Sequence, residues 1–206
     1  MLAAPTARAE ITAARELVSK DRSHALAGLA AIFRAGLPPA VPLDGRYRGT
    51  LITPSLNPLL DRFGRWLTAR WLPWQGKTFN AAAHTGDNLF TNDGLPLARL
   101  VFPFYRRYVP DGGAEYGAGR SRALEFRTRL GPGALDPALT VLKIDYDWDR
   151  NPRFVVRDVL DELVQVDEGY YLGQALLRWG PQGTAGPRGT ARGWVCAAYF
   201  TLEAAA

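Results

Sequence analysis

The chain has 206 residues, 47% hydrophobic and 22% charged, which suits one globular domain with a real core and excludes wholesale disorder. Its 21 glycines and 15 prolines follow no period, which excludes collagen and coiled coil and points to many short elements joined by turns. The net charge of +5 is almost all arginine on its basic side, and these arginines alternate with Asp and Glu, so no nucleic-acid footprint is visible.

The opening MLAAPTARAE holds no apolar stretch of signal-peptide length, and no apolar run is long enough to span a membrane. The single cysteine, Cys196, permits no intrachain disulfide and fits a reducing compartment. Together these features lead to the expectation of a cytoplasmic protein.

Residues Ala7 to Lys20 are rich in helix formers, with Ile11, Ala14 and Val18 on one stripe. Ser23 is the expected cap of a second helix carrying Leu26, Leu29, Ala30 and Phe33, and Gly36 followed by Pro38-Pro39 stops it. Residues 1–40 thus read as a helical extension packed on the barrel expected over 41–203. After the Asp44-Gly45 turn, Arg46 to Ile52 reads as a strand. Helical spacing returns in an insert over residues 55–71, where Leu56, Leu59, Leu60, Phe63, Trp66, Leu67 and Trp71 share one side.

Beyond Trp74 the pattern is of strands and turns. Strands are expected over Gln75–Ala82, Asp87–Thr91, Ala98–Tyr108, Arg122–Leu130, Leu142–Trp148, Asp158–Val166, Tyr170–Gly180 and Gly193–Leu202. Asn92-Asp93-Gly94 and Asp167-Glu168-Gly169 read as reversals, and Pro181 to Thr190 as an exposed loop. In the last strand Trp194, Cys196, Ala198, Phe200 and Leu202 fall on one face. No βαβ alternation occurs, so the fold class is mainly β: a single antiparallel barrel of eight to ten strands, which removes its own edges by closing. A β-sandwich is the alternative.

The chemistry-bearing residues are few. The only histidines, His24 and His84, have no converging partners, so no metal is expected, and no nucleophile elbow or phosphate loop is present. Asp145, Asp147 and Asp149 lack the glycine and terminal glutamate of a calcium loop and read as a solvated face. More telling are polar residues inside the strands: Arg46 and Arg48 flanking Tyr47, Lys77, Asn80, Gln174, and the adjacent Asp161 and Glu162. Successive strand residues face opposite ways, so only one of Asp161 and Glu162 enters a barrel. A carboxylate and a cation meeting inside would either anchor a ligand's polar end or satisfy one another.

The run Leu43-Asp44-Gly45-Arg46-Tyr47-Arg48-Gly49, followed by Trp74-Gln75-Gly76-Lys77-Thr78-Phe79, resembles the opening of bacterial lipocalin-like, or calycin, domains. Gly45-x-Tyr47 stands where those families carry glycine–x–tryptophan, and Gly169-Tyr-Tyr-Leu-Gly173 is similar to a late hairpin in them. The resemblance implies a closed barrel over residues 43–202 that binds a small, mostly apolar molecule. On this basis the first expectation is a binder of a fatty-acid-like or polyketide-like ligand, without cofactor, contacted by Arg46, Tyr47, Leu51, Lys77, Phe79, Phe126, Tyr171 and Gln174. The second is a cofactor-free isomerase, cyclase or hydrolase in the same cavity, with Asp161 or Glu162 as acid or base and Arg46 or Lys77 stabilising negative charge. The third is an interaction module whose barrel is filled by its own side chains; a homodimer is admitted as an assembly.

Overall fold

The structure, a computed structural model, describes residues 6–40, 42–54, 74–91, 105, 107–110, 120–153, 155–179 and 193–205. The expected helical insert over 55–71, the Asn92-Asp93-Gly94 reversal and the 181–190 loop lie outside these residues.

Two helices come first. In α1 (Ala7–Leu17) the Thr6 hydroxyl accepts from the Ala9 N–H at 3.3 Å. In α2 (Arg22–Ala35) the cap is Asp21 and not the expected Ser23: the Asp21 carboxylate accepts from the His24 N–H at 3.0 Å, leaving Ser23 inside the first turn. Gly36 closes α2 as expected, its N–H donating to the Ile32 and Phe33 carbonyls. A Cβ here would lie 2.6 Å from Val164 Cγ2, so the glycine lets the helix end sit directly on the barrel wall.

The strands are β1 (Gly45–Pro54), β2 (Trp74–Asn80), β3 (Thr85–Thr91), β4 (Val109–Pro110), β5 (Arg120–Pro132), β6 (Thr140–Asp145), β7 (Val159–Asp167), β8 (Tyr170–Trp179) and β9 (Gly193–Ala204). They pair antiparallel in the order β3-β2-β1-β9-β8-β7-β6-β5, and β3 also pairs with β5. That last ladder closes an eight-stranded barrel, as expected, and removes the sandwich alternative; β4 is a two-residue addition to β5. Following the strand directions, Pro54, Trp74, Thr91, Arg120, Trp179 and Gly193 lie at one rim. The turns 81–84 and 168–169, Gly45 and Ala204 lie at the other.

Alternation sorts the side chains into two cores. Leu43, Tyr47, Phe79, Phe126, Leu142, Ile144, Tyr146, Val156, Leu163, Tyr171, Phe200 and Leu202 form the interior cluster. On the outer wall, Ile52, Val141, Val164, Tyr170, Leu172 and Tyr199 pack against Ile11, Ala14, Leu29 and Phe33 of the helices. Each such fully buried aliphatic or aromatic side chain contributes about 1.5–3 kcal/mol.

One expectation fails in β9. Phe200 and Leu202 face inward, but Cys196 packs in the outer cluster. The register shifts between Ala175↔Ala198 and Leu176↔Cys196, so Ala197 is an extra residue, and a bulge of one residue reverses every side chain beyond it.

Candidate functional site

Among the described residues, the barrel interior holds one charged centre. Tyr47 pairs with Lys77, and Lys77 with Asn88, so β1, β2 and β3 direct all three inward at one level. Ile144 pairs with Asp161, placing Asp161 inward on β7, and Tyr146 continues the inward alternation just past β6. Strands β2 and β7 stand four places apart in an eight-strand ring, so an interaction between them spans the barrel's diameter.

Lys77 Nζ lies 2.8 Å from Asp161 Oδ2, donates to Asn88 Oδ1 at 2.9 Å, and donates to the Tyr146 hydroxyl. The Tyr146 hydroxyl, with its single proton, donates to Asp161 Oδ2 at 3.1 Å and accepts from Asn88 Nδ2 at 3.0 Å. Asn88 Nδ2 also donates to the Leu124 carbonyl at 3.1 Å, and Trp74 Nε1 donates to Asn88 Oδ1 at 3.0 Å. All three ammonium protons therefore have acceptors. Ring centroids of Tyr146, Phe126, Trp74 and Phe200 lie 5.1, 5.3, 5.4 and 5.4 Å from Nζ, which puts the cation inside an aromatic box.

Burial is complete: Lys77 is 2% and Asp161 4% exposed. Desolvation pushes the Lys77 ammonium below the ordinary lysine range, against the opposing pull of Asp161. The Tyr146 phenol is held well above its usual value, first by burial and then by the Asp161 charge.

The other expected interior residues fall into place around this centre. Edge-to-face contacts run from Tyr171 to Tyr47 (5.8 Å), Tyr47 to Phe79 (5.2 Å), Phe79 to Phe126 (5.3 Å) and Phe126 to Tyr146 (5.6 Å). Such rings add about 0.5–1.5 kcal/mol per pair beyond their buried area. Trp74 and Phe200 form a further pair at 5.5 Å. Trp74 lies over Gly49 and Phe200 over Gly173, where a Cβ would come within 2.3 and 2.2 Å of the rings.

Three expected residues stand elsewhere. Arg46 pairs with Thr78 and faces outward, because alternation puts it opposite Tyr47. Leu51 pairs with Phe200 but sits near the rim and is 39% exposed. Gln174 faces outward with Glu162, the residue of the Asp161–Glu162 pair that stays outside. There Glu162 Oε1 accepts from Lys143 at 2.6 Å and from the Ala134 N–H at 2.7 Å, and Gln174 Nε2 donates to Oε2 at 3.0 Å. A pocket of about 170 Å³ beside this group is lined by Phe33, Arg34, Asp136 and Tyr199.

At the rim carrying the 81–84 turn, a cleft of about 470 Å³ reaches the interior apolar cluster through Leu43, Phe79 and Leu142, with Leu130, His84 and Arg129 also lining it. Phe79 lies two residues from Lys77 on β2, about 6.6 Å along the strand. Asn88, Tyr146, Trp74 and Phe200 are the members of the centre that the sequence does not mark as site residues. Their alternation was readable, but the register that sets them beside Lys77 was not. Among the described residues, no three His, Cys, Asp or Glu side chains converge as a metal set, and no helix is long and apolar enough to cross a membrane. Compared with protein-family models, curated proteins and solved structures, the chain matches none.

Proposed function

We propose that this protein is a calycin-like barrel that binds one small, mostly apolar molecule, with the ligand's polar end directed at the Lys77–Asp161 centre. The observation that carries this reading is a fully buried ion pair in the middle of an aromatic barrel interior. A buried pair is a poor device for stability alone, since apolar residues of similar volume serve as well or better, so its presence favours a role in recognition. The cleft at the 81–84 rim supports it with an apolar approach of a size suited to part of a small ligand. Lys77 and Asp161 already balance in charge, which favours a neutral polar end, a carbonyl or hydroxyl, over a carboxylate. The half-buried single Cys196 suits work in a reducing compartment.

The test is to denature purified protein and search the extract by mass spectrometry for a stoichiometric apolar compound. In parallel, ligand-free protein is titrated with a fluorescent polyene probe displaced by decanol. A bound compound, or saturable displacement at one site per chain, is expected. Protein that carries no compound and takes up neither probe nor decanol would instead be a barrel filled by its own side chains.

A further inference from the structure

We propose that Lys77 Nζ forms a reversible imine with the carbonyl carbon of an apolar aldehyde held in the barrel. This rests on the binding reading above and names the ligand's chemical class. Three features of the centre lead to it.

The first is charge. The cation at Lys77 already has its counter-ion at 2.8 Å, so an anionic ligand would add a second, uncompensated negative charge to a buried site. An aldehyde brings none, and the iminium it forms keeps the single positive charge beside Asp161.

The second is proton handling. Asp161 takes one proton from the Lys77 ammonium, freeing the nitrogen lone pair. That pair forms the C–N bond while the carbonyl π pair moves to oxygen. Tyr146, in hydrogen-bond contact with Nζ, protonates that oxygen and recovers a proton from the nitrogen, giving the neutral carbinolamine. Protonated Asp161 then donates to the carbinolamine hydroxyl, which leaves as water as the nitrogen lone pair closes C=N. The sum is one ammonium and one aldehyde giving one iminium and one water, with Asp161 and Tyr146 restored.

The third is the aromatic box. The four rings that face the ammonium face the iminium equally, and exclude the water that would hydrolyse it. Burial also favours the free amine. Each unit by which an amine's pKa falls raises its neutral fraction about tenfold near pH 7.

The chain suits a direct test because it has only three lysines, Lys20, Lys77 and Lys143. Lys20 is exposed, and Lys143 is buried against Glu162 on the outer wall. Wild-type protein is incubated with decanal and cyanoborohydride near neutral pH, digested, and mapped for the decyl group by mass spectrometry. Lys77 is expected to carry at least about tenfold more decyl than Lys20 or Lys143, and 1-decanol is expected to suppress it. In Lys77→Met the barrel adduct should vanish, leaving decyl only at Lys20, Lys143 and the amino terminus at their wild-type levels. Labelling confined to Lys20 and the amino terminus, or equal at Lys143, while decanol still binds, would overturn the imine and leave the binding reading standing. If neither decanol nor decanal displaces the fluorescent probe, the binding reading falls, and the imine with it. The wild-type map decides the matter even if the variant fails to fold.

Discussion

Replacing Lys77 by Met keeps most of the side-chain volume and removes the charge. Asp161 Oδ2 then retains the Tyr146 hydroxyl at 3.1 Å as a donor, but no cation balances its carboxylate at 4% exposure. Stranding one member of a buried pair costs about 3–5 kcal/mol. At about 2–4 °C per kcal/mol for a chain of this length, the melting temperature should fall by about 6–20 °C. The double change Lys77→Met with Asp161→Val removes both charges. Tyr146 then still has an acceptor, because its hydroxyl lies 3.2 Å from Asn88 Oδ1, and Asn88 Oδ1 keeps the Trp74 N–H. The double variant should therefore return to within about 1 kcal/mol of wild type, or exceed it. Urea unfolding of the four proteins, with unchanged slopes, supplies the cycle. A single variant losing less than about 1 kcal/mol would mean that the pair is not desolvated. A double variant losing the sum of the singles would show that packing, not charge, governs this site.

Val155 is a β-branched residue at φ +64°, 44% exposed, so Val155→Gly should relieve strain and stabilise the fold by about 1 kcal/mol after the entropy cost of glycine, read as a higher urea midpoint. Gly76 has φ +138° and its Cβ would lie 1.9 Å from the Tyr47 carbonyl oxygen, so Gly76→Ala should break the β1–β2 ladder and cost about 3 kcal/mol or more by the same assay. Burial holds the phenols of Tyr105 (pushed up to about 12), Tyr146 and Tyr199 above 10.0. The unfolded chain then loses these protons first, so stability should fall as pH rises above about 10, by up to about 1.4 kcal/mol per pH unit for each tyrosine. Lys77 acts in the opposite sense, binding its proton more weakly when folded, so it favours the folded state as pH rises up to 10.5. A flat alkaline profile in calorimetry would contradict the burial of these rings.

The barrel was legible because alternation is a local property. Val141 against Leu142, or Asp161 against Glu162, declare opposite faces within two residues, and a long antiparallel run without helices between strands leaves closure as the simplest end. Pairing is not local. Nothing near Asn88 in sequence states that it lies across from Lys77, and nothing near Tyr146 states that it faces Asp161 at the barrel's midline. The bulge at Ala197 is likewise invisible to a strict period of two, which is why Cys196 stands on the face opposite to the one alternation predicts. Arg46, beside Tyr47, faces outward by the same alternation, so only the barrel mouth could bring it to a ligand.

The choice of lysine at the centre is itself informative. The chain carries 22 arginines and three lysines, yet both basic side chains buried on β2 and β6 are lysines, each matched to one of two adjacent carboxylates on β7. An ammonium is a compact point charge with three donors, and Lys77 meets three acceptors: Asp161, Asn88 and Tyr146. A guanidinium offers five N–H groups in a plane, so even with Asp161 accepting two, one would be buried without a partner among these groups at about 1–3 kcal/mol, and its larger head overpacks the aromatic box at about 1–3 kcal/mol more. Lys77→Arg should thus destabilise the barrel about as much as Lys77→Met while keeping the charge, and a conservative result in urea would show the centre to be looser than its hydrogen bonds describe. An arginine there would also stay protonated, whereas a buried lysine can release its proton to the carboxylate beside it. The basic composition therefore separates two roles, with arginine serving most of the surface and two of the three lysines standing where a buried carboxylate needs a small partner.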